Sequence, residues 1–152
     1  MLGALHGATI LGLEDESDLL KDLSSPRYEG VAEAMVLLYA SFLNPSLFKP
    51  DAPSMIPAYL SGELAIWTVW ERAYLSDLHG KEVALNLLDR SDSYLLAERN
   101  HRFLAKAQDA LQIGELFMAV GAAHLLGQEG LVTLLRNQGY NVTRVLLPGE
   151  VE

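Results

Sequence analysis

The sequence predicts an α/β fold with a small parallel or mixed sheet. Three observations point to it. "ATILGLE" at 8–14 and "ELFMAVGAAH" at 115–124 are short apolar runs that close on a polar residue, and "NVTRVLL" at 141–147 is rich in β-branched residues. Helical patterns separate the three, which gives the order β, several α, β, α, β, with a large helical insertion between the first two strands.

The first strand, 8–14, ends in Glu14. Ser17 then caps a short helix to about Leu23, and Ser25 with Pro26 at the first helical position opens a long helix to about Leu43. "NPSLFKPDAP", with three prolines, is a loop. From Ser54 to Leu78 the pattern is helical with a break at Gly62, and "HGKE" around Gly80 marks another. Residues 91–114, "SDSYLLAERNHRFLAKAQDALQIG", start on a capping serine or aspartate and run without internal Gly or Pro to Gly114. The second strand ends at His124, "GQEGLVTLLRNQG" is a helix stopped by Gly139, and the third strand closes a single domain spanning 1–152.

At 152 residues the chain can bury a real core, and with 50% hydrophobic residues and a mean hydropathy of +0.15 it has apolar surface to spare for a homo-oligomer. Eleven Lys+Arg against 20 Asp+Glu leave a net charge of −9, the wrong sign for gripping nucleic acid or an anionic membrane surface. The absence of cysteine excludes disulfides and thiolate chemistry. No run approaches the ~18 apolar residues of a membrane span. "MLGALHGATILGL" lacks the basic start of a signal peptide, so the chain reads as soluble, in a compartment the sequence leaves open.

In a parallel sheet the carboxyl ends of strands share one edge, where ligands bind, and Glu14 and His124 are both expected there. A helix starting just after His124 would disfavour imidazolium, leaving a ring able to ligate metal or accept a proton. Gly121 would let the chain turn close to whatever the histidine touches. The alternative is a histidine that satisfies backbone groups at a turn. On the 91–114 helix, an apolar stripe through Leu96, Phe103, Ala107 and Leu111 also carries Asn100, with Arg99 at its border. These two could serve a site, or be an asparagine bonded to a loop and an arginine paired with surface acid. His6 repeats the Gly-x-x-His spacing without further support. His79 and His101 read as solvent-facing, Trp67 and Trp70 as packing residues, and "EDESD" as an acidic helix start.

"ILGLE", "YLLAERNHRF" and "FMAVGAAHLLGQEGLVTLLRNQGYNVTRV" resemble, in order and spacing, the C-terminal half of the TraB/GumN family, related to the Tiki-type proteases. The resemblance implies a metal-dependent hydrolase fold in which Glu14 and His124 are metal ligands, to Zn, Mn or Co, and Arg99 with Asn100 lines the cleft. It places the family's first Gly-x-x-His outside this chain, and His6 is at the wrong distance to replace it. Two function classes follow. One is a non-catalytic, dimeric binding module for a peptide or protein partner. The other is an amide or ester hydrolase whose catalytic residues, Glu14, Arg99, Asn100 and His124, are completed by homodimerisation.

Overall fold

The computed structural model describes residues 7–15, 17–43 and 55–146, and the regular secondary structure among them is helical. The chain runs α1 (Asp18–Leu23), a 3₁₀ turn (Pro26–Tyr28), α2 (Val31–Leu43), α3 (Met55–Leu60), α4 (Leu64–His79), α5 (Lys81–Asp92), a π-helical segment (Ser93–Glu98), α6 (Arg99–Ile113), a second 3₁₀ turn (Ala122–Leu125) and α7 (Leu131–Asn137). His6 and the proline-rich loop lie outside the described residues.

The predicted α/β fold is wrong: there is no strand among the described residues. Residues 8–12, 114–121 and 140–146 carry no helix or strand and form no ladder with one another. A strand requires a neighbour to take its N–H and C=O groups. Here the apolar residues of these segments dock on helices instead, because Leu13, Met118 and Val120 pack against a cluster of Phe103, Leu104 and Leu131. Their other side chains stay outside, with Leu11 64%, Phe117 91% and Val145 83% exposed. At the start of the second segment Gly114 at φ +87 is followed by Glu115 at φ +58, a conformation rare for a residue with a Cβ.

Helix starts differ in detail from the expectation. Ser17 makes no capping bond; the carboxylate of Asp18 instead turns back to accept from the backbone N–H of Asp15, ahead of the helix, at 3.0 Å. Ser25 does accept from the Arg27 N–H at 3.3 Å, but only a 3₁₀ turn follows, since Gly30 at φ +79 ends the run before α2 begins. The break near Gly62 and the one at Gly80 fall as expected.

One apolar cluster lies between α2, α4 and α5. Ala34 and Leu38 meet Tyr74 and Leu75, and α5 adds Ala84, Leu87 and Leu88 at helical spacing. Trp70 stacks on Tyr74 with centroids 5.0 Å apart and packs against this cluster, which confirms its packing role.

The expected helix of residues 91–114 has no cap at its start. It continues from α5 without interruption, so Ser91 is buried in mid-helix. Between α5 and α6 the π segment changes the register. A π turn holds more residues than the 3.6 of an α turn, so over six residues the buried stripe lags by about one position. The stripe of Ala84, Leu87, Leu88 and Ser91 therefore resumes as Asn100, Phe103, Leu104 and Ala107. That offset puts Asn100 inside and leaves Arg99 and Arg102 at two margins of the same helix.

Candidate functional site

At one margin, Arg99 meets Glu14. Its Nε donates to Oε1 at 2.7 Å and its Nη2 to Oε2 at 2.6 Å, a two-pronged fork in which both carboxylate oxygens are used. Nη1 donates to the carbonyl of Leu95 at 3.1 Å, so the guanidinium is held by its own helix as well. The hydrogen bonds to Glu14 raise the Arg99 pKa still further, against the opposing effect of burial. Beside this pair is a cleft of about 280 Å³ lined by Glu14, Asp15, Leu19, Tyr94, Leu95 and Arg99.

Inside the stripe, Asn100 is fully buried and ties down the turn that carries His124. Its amide donates to the carbonyls of His124 at 3.2 Å and Glu129 at 2.6 Å. With both N–H bonds used, its Oδ1 faces His124 Nδ1 at 2.8 Å as an acceptor, so Nδ1 carries the proton. The lone pair is then on Nε2. That atom makes no hydrogen bond among the described residues, yet no buried polar side-chain atom lacks a partner, so Nε2 keeps contact with solvent.

The expected neutral imidazole is present for a different reason from the one predicted. α7 begins at Leu131 and not directly after His124. Burial is the main influence that lowers the His124 pKa below its ordinary value, and the positive charge of Arg99 adds to it; Glu14 opposes both. Gly121 is not needed for close approach. It has an ordinary φ of −62, and a side chain there would meet only His124 Cδ2, at 3.7 Å. Gly130 is the glycine that matters, because a Cβ would lie 2.3 Å from the carbonyl oxygen of Leu126.

Phe103 connects the two pairs. Its ring is 5.1 Å from the imidazole and 5.5 Å from the Arg99 guanidinium. Glu14, Arg99, Asn100 and His124 thus share one neighbourhood, organised by α6 and not by strand ends. They form two pairs, however, and the cleft is lined by the first pair alone. His101 is 60% exposed and bonds Glu129 at 2.9 Å, outside the group.

Sequence reasoning missed a second network at the other margin of α6. Arg102 donates to Asp22 at 2.5 Å, Tyr28 at 2.8 Å and Glu98 at 2.7 Å, while the hydroxyls of Tyr28 and Tyr94 bond Glu98 and Asp22. The bond from Arg102 is the main reason Asp22 titrates below its usual range. Burial pushes the Tyr94 hydroxyl up to about 12. The i, i+4 spacing of Glu98 and Arg102 was visible; their partners 70 and more positions away were not.

The sequence model of the TraB/PrgY/gumN family matches residues 7–144, which is most of the chain and includes all four residues of the two pairs. The chain belongs to this family. Comparison with curated proteins and with solved structures found no match. Within this family member, no group of three or more His, Asp or Glu side chains among the described residues is arranged to hold a metal ion. No helix among them is long and apolar enough to cross a membrane.

Proposed function

We propose that this TraB/PrgY/gumN family chain is a non-catalytic, dimeric binding module in which Glu14 and Arg99 form a fixed structural pair. The fork between them is the observation that supports this reading most. A cation seeking Glu14 has to displace a guanidinium already bonded to both oxygens, at 2.6 and 2.7 Å. One chain then offers a metal little more than Nε2 of His124, against the three protein ligands that a catalytic zinc normally takes. The donor set of a single chain does not fit a resident metal. The cleft beside Glu14 and the exposed Ile10, Leu11 and Phe117 are what the module offers a second copy or a peptide partner.

One observation favours the other reading, an amide or ester hydrolase assembled across a homodimer with Zn, Mn or Co. His124 is neutral, its tautomer is fixed by Asn100, and its free nitrogen faces solvent, as a ligand or proton acceptor requires. In that reading two copies pool Glu14 and His124, and Arg99 with Asn100 orients the substrate.

Metal analysis of the purified protein, together with its mass in solution, separates the two. The binding module predicts a dimer with far less than one metal per chain, unchanged by His124→Ala. Stoichiometric metal that disappears in His124→Ala overturns it in favour of the hydrolase. A chain that stays monomeric at high concentration removes the dimer from both.

A further inference from the structure

A second cleft, of about 300 Å³, shares Tyr94 with the first and involves none of the four residues discussed above. We propose that it binds the oxyanion group, carboxylate or phosphate, of a small ligand through Arg90, Arg27 and Ser93. The two arginines come from different elements, Arg27 from the 3₁₀ turn and Arg90 from α5, and both line the same space.

Arg90 has no ion pair or hydrogen bond among the described residues. Its guanidinium occupies room left by Gly30, where a Cβ would lie 2.3 Å from Nη1. Gly30 also has φ +79, so a side chain is doubly disfavoured there and the guanidinium keeps its place over bare backbone. Arg27 pairs with Glu98 through Nη2 at 3.4 Å and lies over the Tyr28 ring at 5.3 Å, while its Nε and Nη1 make no hydrogen bond among the described residues. Ser93, on the π segment, adds a hydroxyl with no partner among the described residues.

The uncommitted groups in this cleft are thus the donors of Arg90, Arg27 and Ser93 against one carboxylate, Glu29; the charge of Glu98, which also lines it, is met by Arg102. Two planar guanidinium forks and a hydroxyl match a planar carboxylate or a phosphate, which accept paired N–H bonds, and match a cation not at all.

The test is a titration of the full chain with phenyl phosphate and with benzoate at constant ionic strength, followed by amide ¹H–¹⁵N chemical shifts. The expected result is a saturable shift of the Gly30, Ser93 and Tyr94 signals with at least one probe, and the probe that saturates identifies the oxyanion. Arg90→Gln should weaken that binding about tenfold, the scale of one charge-assisted contact, and Glu29→Gln should strengthen it. Both side chains are exposed, so the spectrum of each variant reports directly that it still folds. Failure of both probes to saturate, shifts confined to residues around Glu14, or unaltered binding by Arg90→Gln overturns the proposal. None of these outcomes depends on whether the chain binds metal or dimerises.

Discussion

Asn100 decides the chemistry of His124. An amide buried in an apolar stripe must satisfy two donors and an acceptor, and here it does so with two carbonyls and one ring nitrogen. The result is an imidazole with one tautomer and one orientation; its pKa is held below the ordinary 6.5 by burial first and by Arg99 second. The consequence for stability has a definite sign. Between the lowered pKa of the folded state and 6.5, the unfolded chain binds a proton that the folded one does not, so stability rises with pH across that window and is fully present above it. Urea denaturation of the parent chain and of His124→Gln from pH 5 to 8 should show this rise as the difference between the two profiles. Asn100→Ala should cost about 2–3 kcal/mol by leaving two carbonyls and the ring N–H without their partner. It should also shift the His124 C2–H titration, which a mere loss of packing volume elsewhere in the core would leave in place.

Between elements, what matters is how closely the His124 turn is pressed against the start of α7. Gly130 touches the carbonyls of Leu125 and Leu126, whereas Gly121, the glycine of the Gly-x-x-His spacing, has room for a methyl group. Gly130→Ala should therefore destabilise the chain by about 2 kcal/mol or more, because backbone and not a flexible side chain must yield, and Gly121→Ala should be close to neutral by the same denaturation measurement. Sequence reasoning had singled out Gly121, since its position three residues before His124 is visible and a contact between backbones is not. The same contrast separates what was legible elsewhere. Asn100 on the apolar stripe and Arg99 at its border follow from helical period alone, but their partners, the His124 and Glu129 carbonyls and Glu14, do not. The packing of Trp70 was readable for the same reason. The sheet was not there to be read. Apolar runs such as 115–120 satisfy strand statistics, but pairing is a property of two segments, and in this chain helices α6 and α7 supply the apolar surface on which Met118 and Val120 pack. The π segment was also hidden, because nothing in "SYLLAE" departs from ordinary helix composition, and the extension of α6 back through α5 displaced the expected cap at Ser91 or Asp92.

For the whole molecule, a formal charge of −9 makes the placement of buried acid a term in stability. Two carboxyls, Glu71 on α4 and Asp92 at the end of α5, are part-buried, and the charge of Asp92 acts on Glu71. Burial is the main influence that raises both; the charge of Asp92 adds to it at Glu71, whose pKa is pushed up to about 7, and Arg72 opposes it at both. Here the sign is the reverse of that at His124. From 4.5 to about 7 the folded chain keeps a proton on Glu71 that the unfolded chain has released, so stability falls as pH rises through that range and levels off above it. Glu71 and His124 thus pull in opposite directions near pH 6, and the parent protein should show a flatter profile there than either variant. Glu71→Gln keeps the shape of the protonated acid and cannot ionise. It should leave stability at pH 4.5 nearly unchanged and raise it at pH 8 by about 1–2 kcal/mol, a figure reduced from the full shift because the group retains contact with water. Thermal denaturation at the two pH values checks this. An equal Tm change at both would mean that Glu71 acts through packing, and no change at pH 8 would mean that its carboxylate is already well solvated in the folded chain.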